Sequence, residues 1–198
     1  MGQALAVCVQ DSDDLALSGV WHRGQRLSDV VAGADVIVDF SLPEATAEVL
    51  ECATDLSIPV VCGVSGLDEN QVSALGRAAS VIPLLFDRNM SLCIAVLQRS
   101  VASAAASLGR DFSAEIFEVH HVHKKDAPSG TALKLGEAIA AAQGETGTGG
   151  VDFSFERRGE VPGDHTVTLR SGTEKLVFSH SVTTRLVFAD GALRAARW

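Results

Sequence analysis

The chain has 198 residues, of which 46% are hydrophobic, and a formal net charge of −9. This length suffices for one large domain or two small ones, and the negative charge argues against a nucleic-acid-binding surface. The four cysteines are scattered in apolar runs without metal-type spacing, so we expect reduced core residues of a cytoplasmic protein rather than a disulfide framework. We also expect the apolar runs to be too short to span a bilayer, and we see no signal peptide after Met1.

The first half of the chain alternates between predicted strands and predicted helices. Pro43 and Glu44 suit the first turn of a helix, and Asp68 suits the N-cap of the helix predicted at 69–79. Alternation of this kind is typical of a parallel sheet with helices on both faces, as in Rossmann-like α/β domains. The predicted strands are 15–21, 34–41, 59–66 and 82–86, and the predicted helices are 3–11, 43 onward, 69–79 and 91–108.

The second half follows a different pattern. Its predicted strands are 112–121, 151–156, 166–169 and 175–182, with a helix from Thr131 to about 143 and a last helix over 188–198. Strands separated by turns indicate an α+β segment with an open, mostly antiparallel sheet. We therefore predict two domains: a nucleotide-binding-like domain over 1–90, to which the helix at 186–198 returns, and a substrate-binding and oligomerisation domain over 91–185.

The stretch from Glu118 to Thr131 concentrates the chemically reactive side chains. After a predicted strand it carries three histidines and two lysines, turns at 126–130, and then enters a helix at Thr131. The first turn of a helix has unpaired backbone N–H groups and a dipole that favours anions. Gly130 permits close approach of a ligand to the main chain, and Lys124 adds positive charge. The pattern predicts a socket for a carboxylate or phosphate with an acid or base beside it; the alternative is a solvated basic loop before a capped helix.

This stretch resembles the signature of the dihydrodipicolinate reductase family, Glu-x-His-His-x-x-Lys-x-Asp-x-Pro-Ser-Gly-Thr-Ala, at every fixed position from Glu118 to Ala132. The resemblance covers essentially the whole chain. It implies reduction of 4-hydroxy-tetrahydrodipicolinate, a cyclic dicarboxylate, to tetrahydrodipicolinate in lysine and diaminopimelate biosynthesis, with NADH or NADPH as cofactor. It also implies a homotetramer built by the second sheet. An alternative is a related reductase that acts on a different cyclic imine, because such an enzyme would need the same loop.

The resemblance assigns roles to residues of the loop. His120 or Lys124 would supply the proton that complements hydride addition. Because neighbouring strand residues point to opposite faces, we favour His120 and Lys124 in catalysis and His121 in binding. The residues implied in binding the dicarboxylate are His121, Lys124, Ser129, Gly130 and Thr131.

The ends of the predicted strands in the first half resemble cofactor-lining segments of the same family. Ligands of open α/β sheets bind at the carboxyl ends of the strands, although each segment by itself also fits an ordinary strand-end turn. Arg23 favours NADPH, because no acid that would bind a ribose diol follows the strand predicted at 15–21; a surface arginine is the alternative. The residues implied in cofactor binding are Gly2, Arg23, Asp39, Phe40, Ser41, Gly63, Ser65 and Asn89.

The histidines also raise the question of a metal. The spacing of His120, His121, His123, His165 and His180 gives no helical i, i+4 pair and no accompanying thiolate cluster. We therefore expect no metal site. His165 matches a Gly-x-His-Thr run of the family, where we expect a structural role in the sheet, and Arg157 is either near the substrate or a solvated strand end.

The start of the sequence departs from the family pattern. A dinucleotide-binding fold begins with a strand and a Gly-x-Gly-x-x-Gly-type turn, whereas Met1-Gly2 resembles only the last residues of the family's Gly-rich loop. Without that central strand, 15–21 and 34–40 lack a shared neighbour, and unpaired backbone groups are costly when buried. We expect a rearranged sheet or a strand donated by a partner. The alternative function is a catalytically impaired dicarboxylate-binding or oligomeric relative that has lost cofactor binding.

Overall fold

The computed structural model describes residues 1–198, which divide into two compact units. Unit 1 comprises Met1–Met90 and Leu186–Trp198. Unit 2 comprises Ser91–Arg185. The C-terminal helix therefore belongs to the same unit as the N-terminal part of the chain.

Unit 1 is built around a small parallel sheet, as predicted. Its strands are β1 (Ile37–Asp39), β2 (Val60–Cys62) and β3 (Leu84–Phe86), which lie in the order β1-β2-β3 with both pairs parallel. Its helices are α1 (Gly2–Gln10), α2 (Leu27–Val30), α3 (Thr46–Leu56), α4 (Glu69–Ala79) and α7 (Leu186–Arg197), with a 3-10 turn at Pro43–Ala45.

Helices cover both faces of this sheet. Successive strand residues point to opposite faces, so Val60 and Val61 of β2 pack in different clusters. Val60 packs with Leu50 of α3 and Leu75 of α4, whereas Val61 packs with Ala192 of α7. The predicted arrangement of helices on both faces is confirmed.

Helix α4 shows a boundary that the local sequence determines. The side chain of Asp68 accepts a hydrogen bond from the backbone N–H of Gln71 at 2.8 Å, and the side chain of Gln71 accepts one from the backbone N–H of Asp68 at 3.0 Å. This capping box satisfies two donors that the helix itself leaves unpaired. The predicted N-cap at Asp68 is confirmed.

The strand predicted at 15–21 is wrong, because this segment has no regular secondary structure. No backbone–backbone hydrogen bond joins it to another segment, and an extended segment without a partner gains none of the ladder that stabilises a strand. The segment instead lines an apolar cavity of about 350 Å³ together with α1 and β1. The sheet shows no rearrangement, since its three parallel strands follow one another in chain order. Strand β1 pairs on one side only, and the alternative expectation, a strand donated by a partner, stays a prediction.

Unit 2 contains a larger mixed sheet covered by two helices. The strands are β4 (Ser113–His120), β5 (Val151–Arg157), β6 (Asp164–Arg170) and β7 (Lys175–His180), in the order β5-β4-β6-β7. The helices are α5 (Leu92–Leu108) and α6 (Gly130–Ala142), and a 3-10 turn at Gly109–Asp111 follows α5. Only β4 and β5 are parallel, so the predicted mostly antiparallel sheet is confirmed.

Helix α5 and the turn after it correct one expectation from composition. The stretch Leu92–Asp111 is long and apolar enough, by length and composition alone, to cross a bilayer. The prediction that every apolar run is too short is therefore wrong. Ile94, Leu97, Val101 and Ala105 recur every three or four residues and are buried in the core of unit 2, a pattern typical of the core helix of a globular unit.

Candidate active site

Strand β4 carries polar side chains into the interior of unit 2 at its C-terminal end. Ala114 and Ile116 are buried in the hydrophobic core. Glu118 and His120 continue the same face, because strand side chains alternate. Both are buried, with 1% and 6% of their surface exposed, so the strand passes from a hydrophobic core to a polar cluster without changing face.

The carboxylate of Glu118 lies at the centre of this cluster. Its Oε1 accepts a hydrogen bond from the backbone N–H of Ser129 at 3.0 Å, and the guanidinium of Arg157 lies 3.7 Å from the same oxygen. Its Oε2 lies 3.6 Å from Nδ1 of His120 and 3.7 Å from Nε2 of His165. A buried carboxylate is stable only among donors and positive charges, and here they converge on Glu118 from three strands and the start of α6.

The register of the sheet explains how residues distant in sequence meet. Glu118 of β4 lies opposite His165 of β6. His120 of β4 lies opposite Arg157 of β5. Opposite residues on one face of a sheet have neighbouring side chains, so the two strand pairings assemble the cluster.

Both buried histidines are neutral near pH 7. Burial, together with the positive charges of Lys124 and Arg157, lowers the pKa of His120 to about 4. Burial, together with the rings of His120 and His180, lowers the pKa of His165 to about 3. Each neutral imidazole has one N–H and one lone pair, so the neighbours of each ring decide which nitrogen carries the hydrogen.

The loop after β4 is held in place by Arg157. The Nε of Arg157 donates to the carbonyl of Lys124 at 3.2 Å, and its terminal nitrogen donates to the carbonyl of Asp126 at 2.7 Å. The Nζ of Lys124 bonds both carboxylate oxygens of Asp126 at 2.8 Å. Burial opposes ionisation of Asp126, but the hydrogen bond and charge of Lys124 outweigh it and lower the pKa of this carboxyl. The loop therefore presents Lys124, and a ligand carboxylate would replace Asp126 as the partner of its Nζ.

The N-terminus of α6 lies directly beside the cluster. Ser129 is the N-cap, and its Oγ accepts a hydrogen bond from the backbone N–H of Ala132 at 3.1 Å. The same Oγ lies 3.5 Å from Nε2 of His165. Gly130 is the first helical residue, and Thr131 is buried in the first turn. Ser129, where the predicted anion socket begins, therefore also bonds Glu118.

His121 lies outside the buried cluster. It follows the last residue of β4, and its ring centre lies 6.1 Å from that of His123. Partial burial and the charge of Arg185 lower its pKa. The predicted site residues of unit 2 fall into two groups. Those in or beside the cluster are His120, Ser129, Gly130 and Thr131. Those in the loop after β4 are His121 and Lys124.

Three potential metal ligands meet in the same cluster. Ligand atoms of Glu118, His120 and His165 lie within 4.8 Å of one another. The expectation of no metal rested on spacing along the chain, which does not reveal that the sheet brings His165 next to the other two. Carboxylate and imidazole are ligands that zinc accepts.

The strand ends expected to line the cofactor lie at one edge of the unit 1 sheet. The register pairs Asp39 with Cys62 and Cys62 with Phe86, so the three strands end together. The backbone N–H of Gly63 donates to the carbonyl of Asp39 at 2.8 Å. A Cβ at Gly63 would overlap the ring of Phe40, so this approach requires glycine.

Turns follow two of these strand ends. The backbone N–H of Ser41 donates to Oδ1 of Asp39 at 2.8 Å, and the backbone N–H of Asn89 donates to Oδ1 of Asp87 at 2.9 Å. Ser65 is exposed beyond the end of β2. These turns form the carboxyl edge at which open α/β sheets bind ligands.

Gly2 lies near part of this edge, whereas Arg23 does not. Gly2 begins α1 and lines the same cavity as Asp39, Phe40 and Ser41. A Cβ at Gly2 would meet no atom within 4 Å, and the first turn of any helix leaves backbone N–H groups without helical partners. This arrangement fits the anionic pyrophosphate of a dinucleotide. Arg23 is exposed in a turn and does not line the cavity.

Sequence reasoning missed how three residues act together. Glu118 belongs to the motif but has no role assigned by it, His165 is expected to be structural, and Arg157 has two possible positions. Glu118 is identifiable from the motif, because a glutamate on a strand whose other inward residues are apolar needs a polar partner. No sequence signal places Arg157 or His165 beside Glu118, because strand pairing brings them there.

The fold defines the class of protein. A solved dihydrodipicolinate reductase from Paenisporosarcina superposes with a TM-score of 0.81 at 19% identity, over 99% of this chain and 89% of that chain. This likeness shows a Rossmann-like fold with a parallel α/β unit and an α+β unit.

Sequence comparison identifies the family. The family models for the N-terminus and C-terminus of dihydrodipicolinate reductase match residues 1–90 and 93–198. A 4-hydroxy-tetrahydrodipicolinate reductase from Campylobacter jejuni is 36% identical over 100% of this chain and 88% of its own length. One from Wolinella succinogenes is 44% identical over 84% of this chain and 71% of its own length. The chain belongs to the dihydrodipicolinate reductase family, whose members are NADH- or NADPH-dependent oxidoreductases of lysine and diaminopimelate biosynthesis.

Proposed function

We propose that this chain reduces 4-hydroxy-tetrahydrodipicolinate to tetrahydrodipicolinate with NADH or NADPH. The observation that carries the proposal is the position of His120, which shares the carboxylate of Glu118 with Ser129, the N-cap of α6. An acid or base thereby adjoins a helix N-terminus suited to a carboxylate. The relatives named above carry the name of this activity.

The substrate is a dicarboxylate, and unit 2 offers two kinds of anion contact. Gly130 and Thr131, at the start of α6, would hold one carboxylate through backbone N–H groups. Lys124 and His121 would bind the dicarboxylate from the loop, with Lys124 exchanging its bond to Asp126 for one to the ligand. The solved Paenisporosarcina relative has dipicolinate bound to it, which supports a planar dicarboxylate as the ligand class.

The reaction replaces a hydroxyl group by hydrogen, so it consumes one hydride and one proton and releases water. A reduced nicotinamide supplies the hydride when bound. His120, with Lys124 as its neighbour, would supply the proton. A bound dianion raises the pKa of a nearby histidine, so the substrate itself would promote protonation of His120.

The two units would divide the work. Unit 1, over 1–90 and 186–198, would bind the cofactor through Gly2, Asp39, Phe40, Ser41, Gly63, Ser65 and Asn89, with Arg23 at its margin. Unit 2, over 91–185, would bind the substrate and form a homotetramer. Phe117 and Val177 support this assembly, because they are partly exposed on the sheet face away from the core helices. A monomer in sedimentation velocity would contradict the assembly.

A second candidate is a dicarboxylate-binding relative without turnover. It is favoured by the segment 15–21, which has no strand partner and lines the cavity next to Gly2 and Asp39. The cofactor side of the protein would then be the impaired part.

Titration calorimetry with NADPH, NADH and pyridine-2,6-dicarboxylate distinguishes the two candidates. Micromolar binding of a nicotinamide cofactor, followed by turnover of the substrate, supports the reductase. Binding of the dicarboxylate alone supports the second candidate. Binding of neither ligand contradicts both proposals.

A further inference from the structure

The carboxylate of Glu118 faces two imidazoles at once. Its Oε2 has no hydrogen-bond partner within 3.5 Å, yet Nδ1 of His120 lies at 3.6 Å and Nε2 of His165 at 3.7 Å. Nδ1 of His120 likewise has no other partner. A small movement of either ring would close a charge-assisted hydrogen bond.

The negative charge of this oxygen selects the tautomers of both rings. A lone pair directed at a carboxylate is repelled, whereas an N–H is attracted. This charge favours a hydrogen on Nδ1 of His120 and on Nε2 of His165, where the N–H also reaches Oγ of Ser129 at 3.5 Å. The lone pair of His120 then lies on Nε2, at the far side of the ring.

Gly163 leaves space beside that second nitrogen. A Cβ built on Gly163 would lie 2.9 Å from Nε2 of His120, so a larger residue would crowd this atom. Gly163 also has a φ of +152°, a conformation that other residues rarely adopt.

We propose that Glu118 is a positioning residue, which fixes His120 as the Nδ1–H tautomer and His165 as the Nε2–H tautomer, so that Nε2 of His120 is the atom that handles the proton. This inference rests on the proposed function for the role of that proton. Glu118 is 1% exposed and would act through the orientation of His120. Carboxylates orient metal-bound histidines in this way, where loss of the carboxylate typically costs about 10–100-fold in metal affinity or activity, and we expect an effect of the same order here.

Glu118 also links the proton-handling group to the anion socket. Its Oε1 bonds the backbone N–H of Ser129, the residue that caps α6. The positive groups near the cluster are Arg157, at 3.7 Å from Oε1, and Lys124, whose charge acts on His120. His180 is the remaining titratable ring near His165, with ring centres 6.1 Å apart. One carboxylate thus fixes both the imidazole and the start of the helix.

The direct test measures the tautomers in the resting protein. With ¹⁵N-labelled histidine at pH 7, two-bond ¹⁵N–¹H correlation spectra distinguish Nδ1–H from Nε2–H rings. We expect His120 as Nδ1–H and His165 as Nε2–H, with assignments from His120→Gln and His165→Gln. Glu118→Gln should shift His120 toward Nε2–H, because an amide can donate to the Nδ1 lone pair.

Kinetics give a second readout. For Glu118→Gln we expect kcat to fall about 10–100-fold, while the Kd for pyridine-2,6-dicarboxylate changes less than about threefold, because the backbone N–H of Ser129 keeps an amide oxygen as partner. The matched control is Glu115→Gln, on the same strand, where the side chain is partly exposed and pairs with Arg170 at 3.3 Å. Its kcat should stay within about twofold of the unchanged protein.

Several outcomes would overturn the proposal. His120 as Nε2–H in the unchanged protein would do so, as would a kcat for Glu118→Gln within twofold of the unchanged protein. One equivalent of metal in the purified protein, measured by elemental analysis, would show that the cluster is a metal site instead. If Glu118→Gln does not fold, the tautomers of the unchanged protein decide. If the unchanged protein has no turnover, the proposed function fails, whereas the tautomers still decide the positioning role.

Discussion

The two units differ in how firmly strand pairing fixes their polar side chains. In unit 1 each pair of neighbouring strands is joined over three residues, and β1 has a partner on one side only. In unit 2, β4 is joined over seven residues to β5 and over seven to β6. The residues that need exact relative positions, Glu118 and His120, lie on the strand with neighbours on both sides.

This difference shows that strand pairing positions the side chains of β4 in unit 2 more firmly than those of the three strands of unit 1. A central strand cannot shift its register without moving every side chain on it to the wrong face. The register of β4 therefore fixes the positions of Glu118 and His120. The cofactor edge of unit 1 depends on short strands and turns, and the segment 15–21 beside it has no strand partner. We therefore expect substitutions in the cluster around Glu118 to have larger effects than substitutions in the segment 15–21.

The largest effect is expected at His120. We predict that His120→Gln lowers kcat by about 10²–10⁴-fold, because general acid–base groups contribute on that scale. Binding of NADPH or NADH should be unchanged, since the substitution lies in unit 2. The measurement is steady-state kinetics with parallel calorimetry.

The control for this variant is His123→Gln. His123 is exposed and pairs with Glu160 at 3.4 Å, and exposed pairs contribute little, so kcat should change less than about twofold. An equal loss for both variants would contradict the assignment of His120.

Arg157 should matter next, through the loop that it holds. Arg157→Ala removes donors from the carbonyls of Lys124 and Asp126 and a positive charge from beside Glu118. We expect the Kd for pyridine-2,6-dicarboxylate to rise about 10–100-fold, which corresponds to the cost of about one lost charge-assisted hydrogen bond. Arg158→Ala is the matched control, because Arg158 is exposed. Equal affinities for the two variants would show that the loop holds its shape without Arg157.

Acid should destabilise the protein through the buried histidines. Their pKa values of about 4 for His120 and about 3 for His165 lie below the ordinary value of 6.5. Between these values and pH 6.5 the unfolded chain binds protons that the folded chain does not, so stability falls as pH falls. From pH 7 to pH 5 we expect a loss of about 2–4 kcal/mol in the free energy of unfolding.

Urea denaturation at several pH values measures this loss. His165→Gln should reduce the slope with pH whatever it does to the stability at pH 7. His22→Gln, at an exposed position, should leave the slope unchanged. A slope that His165→Gln does not alter would contradict the neutral state of this ring.

The smallest effect is expected in the segment 15–21. Leu17 is 48% exposed, so Leu17→Ala should change the free energy of unfolding by less than about 0.5 kcal/mol. The buried Leu169 of β6 provides the contrast, because Leu169→Ala should cost about 2–5 kcal/mol. Backbone amides of 15–21 should exchange with solvent far faster than those of β4, since they lack backbone partners. Slow exchange in 15–21 would show a pairing partner in solution.

Much of the fold could be predicted from periodicity and capping. The strand at 112–121, the helix after the Asp68 cap and the long helix from Ser91 all follow from local patterns and agree with the structure to within a few residues. The strand at 15–21 was wrong for a physical reason: alternation shows that a segment can form a strand, but only a neighbouring strand makes it one.

By itself, the sequence determined the family. It also predicted an anion socket at Gly130 and Thr131, with His120 and Lys124 as the reactive candidates, because these predictions depend on residues close together in the chain. Tertiary structure decided the contacts between residues that are distant in the sequence. Strand register brought Glu118, His165 and Arg157 to His120. Within unit 1, α7 packs so closely against the end of the N-terminal part that a Cβ at Gly191 would overlap the carbonyl of Met90, and these two residues are distant in the sequence. Contacts between distant residues depend on how the strands pair and the helices pack, and a single sequence does not state that pairing.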